Sequence, residues 1–166
     1  MANSWKQNKE KNSIGLILIL PILAIFLIAV FVYFFKRPIY PKDIGIIING
    51  NDYFLEIAQN NKQRKIGLSK RNEICSNCGM LFVFDKEEKH SFWMKDTYVP
   101  LDMIWFNSDN QIVKIITSAA PNSETIYQNE NPAKYVIELN ANESLKLGLK
   151  IGDTIPLDLK PNESSN

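Results

Sequence analysis

The chain's densest chemistry lies between His90 and Asp102, where His90, Ser91, Lys95, Asp96, Thr97 and Asp102 fall within 13 residues of an otherwise apolar pattern. Trp93 stands among them and Trp105 follows. If this segment folds back between its strands, these side chains line a pocket with a tryptophan floor, since small-ligand sites combine apolar walls with a few placed polar groups. A lysine beside carboxylates suits an anionic or sugar-like ligand. An aspartate buried against tryptophan can act as a general base. The simpler alternative is structural: Lys95 and Asp96 pair at a strand end, Asp102 caps a turn, and Phe92, Trp93 and Met94 are core. Arg64, upstream, either clamps a carboxylate from this cleft or belongs to a solvated helical face, where such charges contribute little. A Ser–His–Asp triad built on Ser91 and His90 is disfavoured, because adjacent strand residues point to opposite faces.

Cys75 and Cys78 form a Cys-x-x-Cys pair with three readings. A redox pair needs a helix N-terminus to depress its thiol pKa, but Gly79 leads straight into the apolar run Met80–Phe84. Structural zinc needs four ligands, and the chain has two cysteines and one histidine. A structural disulfide clamping the turn leads, with redox and metal readings behind it. No glycine-rich phosphate loop and no Gly-x-Ser-x-Gly elbow occurs, and no metal or other cofactor is expected.

These residues need a scaffold, and the pattern predicts one rich in strands. Residues 44–48 and 53–58 flank Asn49-Gly50-Asn51-Asp52, a strong hairpin signal because Asn and Gly tolerate positive φ. A short helix is expected over 60–68. Strands are expected over 80–84, 91–94, 101–106, 111–117, 134–139 and 154–157, with a long polar loop over 118–132. Asn140 and Glu143 fit a capping box for a helix over 141–147 that stops at Gly148. The absence of strand–helix alternation excludes a doubly wound fold. The expectation is a mainly β (α+β) domain: a small antiparallel barrel-like sheet or sandwich with two short helices, its centre at 80–84 and 101–106.

Before this domain the chain is apolar. Residues 14–35 contain no charge, and as a helix they span roughly 33 Å, enough for a hydrocarbon core. The run is longer than a signal-peptide core and lacks its small-residue cleavage site. The predicted order is a short tail (1–13), a transmembrane anchor (14–35), a linker (36–43), the β domain (44–158) and a disordered tail (159–166). Flanking lysines and arginines tie in number, so orientation rests on the cysteine pair, which suits an oxidising compartment. The domain is therefore expected outside the cytoplasm, on a single-pass anchor in the cell membrane. Five of the 19 Lys and Arg and one of the 18 Asp and Glu precede residue 38, leaving 14 basic and 17 acidic side chains and a formal charge of −3. That is no footprint for nucleic acid, which needs a clustered basic face.

Several separated segments, in order, carry a resemblance: Arg64 with Gly67-Leu68, Gly79–Phe84, Phe92–Thr97, Pro100–Asp102, Tyr135–Ala141 and Gly148–Asp153. Over residues 53–157 the chain resembles the DUF192 family, a prokaryotic domain of unknown function often exported or membrane-tethered. Ser69 and Asp96 depart from its usual Gly-Leu-Met and Lys-Asn-Thr. The resemblance implies a small β-rich, barrel-like fold and no established reaction. The leading expectation is a non-catalytic binding or envelope-accessory module for an unknown small-molecule or envelope ligand. The alternatives are an enzyme acting on a cell-envelope glycan through the His90–Asp102 segment, and redox or metal handling through Cys75 and Cys78.

Overall fold

Asn49 and Gly50 adopt φ values of 46° and 80°, so strand β1 (Ile44–Ile48) turns directly into β2 (Asn51–Ala58). Both residues in the left-handed region is the two-residue hairpin geometry that matches strand twist. The computed structural model describes residues 24–27 and 44–157. Residues 24–27 are helical; the expected tail over 1–13, the rest of the expected 14–35 anchor, the 36–43 linker and the C-terminal tail lie outside the described residues. Among the described residues no helix is long and apolar enough to cross a membrane.

After β2 the chain makes helix α1 (Asn61–Ile66), with a complete capping box between Asn60 and Gln63. It then returns as β3 (Cys78–Glu88), which pairs parallel to β2. Strands β5 (Leu101–Phe106), β6 (Ile112–Ala119) and β8 (Ala133–Asn140) complete a six-stranded sheet of order β1-β2-β3-β8-β5-β6. Two short strands, β4 (Ser91–Phe92) and β7 (Tyr127–Gln128), form a separate antiparallel ribbon.

Alternation along the central strands sends side chains to both faces, and each face has its own core. On the first, Leu55, Leu81, Ile104 and Ile137 meet Leu147, Leu149 and Ile155 from the C-terminal segment. On the second, Phe82, Met103, Trp105 and Val136 meet Leu68 and Met94. Every residue of β5 is buried, as a run that is apolar on both faces apart from Asp102 predicts for a doubly covered strand.

Four expectations are corrected. The sheet is mainly β with few short helices but does not close into a barrel, and β1 and β6 remain its edges. It is not wholly antiparallel, because the α1 crossover returns β3 alongside β2 in the same direction. The final strand reduces to one bridge between Gln111 and Thr154, while the 118–132 loop contributes β7. The second helix, α2, is only Glu143–Lys146 and has no side-chain cap. Asn140 instead donates from Nδ2 to the Cys75 carbonyl at 2.8 Å. Glu143 is occupied by the Tyr53 hydroxyl and by Lys146, each donating at 2.5 Å. Burial pushes the Glu143 carboxyl up, but its bonds from Lys146 and Tyr53 outweigh that and hold it below the ordinary glutamate range.

Candidate ligand cleft

α1 carries Arg64 towards the second face of the sheet and holds it there. Arg64 Nη1 donates to the carbonyls of Gln59 and Val83 at 2.9 and 2.7 Å, and Nη2 donates to Asn61 Oδ1 at 2.6 Å. Its guanidinium also lies 5.1 Å from the centroid of the Phe84 ring. Opposite stands the 91–97 segment, folded by a turn in which Thr97 N donates to the Met94 carbonyl at 3.0 Å. Asp96 takes φ 57° in this turn, a conformation Asn and Asp tolerate better than most side chains. The Lys70 amide donates to the Asp96 carbonyl at 2.7 Å, tying the turn to the chain beyond α1.

Between α1, this turn and the sheet lies an open cleft of about 550 Å³, a size suited to a small organic ligand. Its walls include Phe82, Phe84, Phe92 and the half-exposed Trp93, with Arg64, Lys65, Lys95, Asp96, Thr97 and Glu138 as charged or polar groups. The aromatic rings interlock: Phe92 meets Phe82 edge-on at 4.9 Å and Trp105 at 5.7 Å, an arrangement favoured by ring quadrupoles.

Glu138 is the most unusual lining residue. It projects from β8 at 5% exposure, with Met80 and Met103 as its cross-strand neighbours. Burial pushes its carboxyl up to about 8, against a smaller downward pull from Arg71. The Arg71 charge is itself held by Glu56, through a bidentate pair whose Nη2–Oε2 arm is 2.8 Å. Glu56 lies opposite Met80 on β2, so Glu56, Met80, Glu138 and Met103 form a row across four strands. At neutral pH the cleft therefore presents a protonated carboxyl over an aromatic wall, able both to donate and to accept a hydrogen bond.

Of the residues singled out in the sequence, Arg64, Ser91, Trp93, Lys95, Asp96 and Thr97 line this one cleft. Arg64 is not part of a solvated face, since two backbone carbonyls and a ring hold it. Lys95 lies 3.5 Å from Glu124 and 5.5 Å from the centroid of the Trp93 ring, rather than pairing with Asp96. His90 is not among the lining residues: its imidazole stacks on Phe84 at 3.4 Å. Burial lowers its pKa, outweighing the favourable Lys86 and Ala133 carbonyls and the Glu88 charge. Trp105 supports Phe92 from beneath instead of forming the floor.

Asp102 is also absent from the cleft. Strand alternation sends it to the first face, fully buried, where it accepts from the amides of Ser118, Asn142 and Ser144 and from the Ser144 hydroxyl at 2.5–2.9 Å. A carboxylate saturated by four donors holds structure together; it has no vacancy for a ligand proton. Cys75 and Cys78 are disulfide-bonded with Cα atoms 5.1 Å apart. Among the described residues no group of three or more His, Cys, Asp or Glu could hold a metal ion. Glu138 and the Glu56–Arg71 pair were not anticipated. The available signal was a lone carboxylate within each apolar strand, in Phe54–Ala58 and Tyr135–Leu139.

No curated protein matches the chain. Among solved structures it is similar to a "putative transcription regulator" from Sinorhizobium meliloti 1021, with 38% identity and a TM-score of 0.63 over 68% of this chain and 88% of that one. It is also similar to a protein of unknown function from Novosphingobium aromaticivorans DSM 12444, with 29% identity and a TM-score of 0.61 over 68% and 81%. Residues 46–157 match the family model DUF192 (Uncharacterized ACR, COG1430), and the chain belongs to that family.

Proposed function

We propose that this domain is a non-catalytic binding module that takes a small organic molecule into the cleft between α1, the 91–97 turn and the sheet. The observation that carries the reading is Glu138: a buried carboxyl kept neutral in an open cleft costs stability, and such costs are retained where they serve a site. The aromatic wall supplies contact area, and Trp93 at the mouth supplies a stacking face. The 14–35 segment would tether the module to the membrane, with the domain on the extracytoplasmic side, where a disulfide persists. The description of the S. meliloti protein as a regulator is not carried over, because the −3 charge beyond residue 37 offers no basic surface for nucleic acid.

The test is binding of a panel of small organic acids, amides and sugars to the full chain, followed by amide NMR. Saturable shifts clustered on residues 64–69 and 91–97, reduced in Trp93→Ala, support the module; shifts scattered over the surface refute it. A second reading, an envelope-glycan hydrolase, is favoured by one fact: a carboxyl of pKa about 8 can serve as a general acid. Turnover of a glycan with a bell-shaped pH profile, abolished in Glu138→Gln, would displace the binding reading.

A further inference from the structure

We propose that the cleft is a carboxylate site, in which Arg64 receives the acid group of a small organic monocarboxylate while the ligand's body rests on the Phe84–Phe92 wall. This rests on the binding reading above and names the class of ligand. A guanidinium has five N–H donors, and Arg64 uses three, on Gln59, Val83 and Asn61. The other two belong to Nε and Nη2, adjacent nitrogens whose spacing suits the two oxygens of a carboxylate. Among the described residues no Asp or Glu pairs with Arg64, whereas Glu56 pairs with Arg71 and Glu124 lies beside Lys95. A part-buried cation held by carbonyls and a ring, without a counter-charge, gains from an incoming anion and has already lost its rotamer freedom.

The rest of the cleft sets the number of charges. Arg64, Lys65 and Lys95 line it against two carboxyls, Asp96 and Glu138. Glu124 beside Lys95 offsets one of the three cations and Asp96 a second, so with Glu138 protonated at neutral pH one positive charge remains for one added negative charge. A dianionic phosphate is not matched, because it would crowd both carboxyls around a single fork of donors.

Isothermal titration of the full chain at pH 7 with matched pairs tests this: phenylacetate against phenylacetamide, and D-glucuronate against D-glucuronamide, with phenyl phosphate as the dianion. The acid of at least one pair should bind on the order of tenfold more tightly than its amide. Arg64→Lys should erase most of that gap, because lysine retains the charge but not the fork. Amides binding as tightly as acids, phenyl phosphate outbinding both acids, or neither acid binding would overturn the carboxylate assignment. Equal binding of acid and amide would leave the module intact, whereas its own failure is read from the NMR map and Trp93→Ala. Arg64→Lys also disturbs the Val83 contact; the acid–amide gap in the unaltered protein decides the question should that variant not fold.

Discussion

Replacing Glu138 by glutamine should make the protein more stable, by an amount that grows with pH. Burial pushes the folded carboxyl up to about 8, while in the unfolded chain it titrates near the ordinary glutamate value of 4.5. Below 4.5 both states hold the proton, and the group contributes nothing to the pH dependence. Above it the unfolded chain releases the proton and gains hydration, while the folded chain keeps it. Stability therefore falls by about 1.4 kcal/mol per pH unit until the folded group also ionises. Across the interval from 4.5 to about 8 the loss reaches about 5 kcal/mol, a large share of a typical domain's stability. Glutamine has nearly the same shape and cannot ionise. Other titrating groups, Glu143 and His90 among them, are common to both proteins and cancel in the comparison. Urea unfolding of both proteins at pH 5, 6, 7 and 8 should show the variant's advantage growing by about 3–4 kcal/mol from pH 5 to pH 8. Parallel pH profiles would refute the reasoning, and would mean that Arg71 keeps Glu138 ionised in the folded protein.

Three other outcomes are expected. Asp102→Asn should lower stability by about 2–4 kcal/mol at neutral pH in urea unfolding, because two of the four buried donors would face an NH₂ group; a change below about 0.5 kcal/mol would contradict the keystone role. Gly79→Ala should cost about 3 kcal/mol or more, since its Cβ would stand 2.2 Å from the Glu138 carbonyl and 2.8 Å from Leu139 Cδ2; a wild-type melting temperature would show that β3 and β8 separate freely. Cys75→Ser with Cys78→Ser should lower stability by about 2 kcal/mol, and a reductant should then no longer shift the variant's melting temperature while it lowers the parent's.

Local chemistry made part of this molecule legible in its sequence. Asn49-Gly50 fixed a turn because those two residues tolerate its backbone, and the apolar run of β5 announced a strand covered on both faces. The parallel β2–β3 pair was not legible, because nothing in either strand encodes its partner's direction; the α1 crossover decides that. Asn140 looked like a helix cap from its spacing to Glu143, but β8 continues through it and its amide is taken by Cys75. Within the cleft, six residues followed from the density of polar groups near the aromatic run and from the arginine upstream. Asp102 misled because proximity in sequence ignores strand parity: it lies on β5 with the face opposite to Leu101, Met103 and Trp105.

Asp102 and Glu138 show how a buried carboxyl can be assigned to structure or to function. Both sit on central strands and are at most 5% exposed. Asp102 receives four hydrogen bonds and ties β5 to two other stretches of chain, at Ser118 and at Asn142–Ser144, so its removal should weaken the fold. Glu138 is neighboured by two methionines and titrates above neutrality, so glutamine in its place should strengthen the fold. A residue whose loss stabilises a protein is not retained for stability. It also borders the cleft that holds the unpaired Arg64 fork, whereas Asp102 lies beneath the other face of the sheet. The stability cost and the location point to the same residue, which makes Glu138, rather than the more conspicuous Asp102, the group around which ligand recognition should be sought.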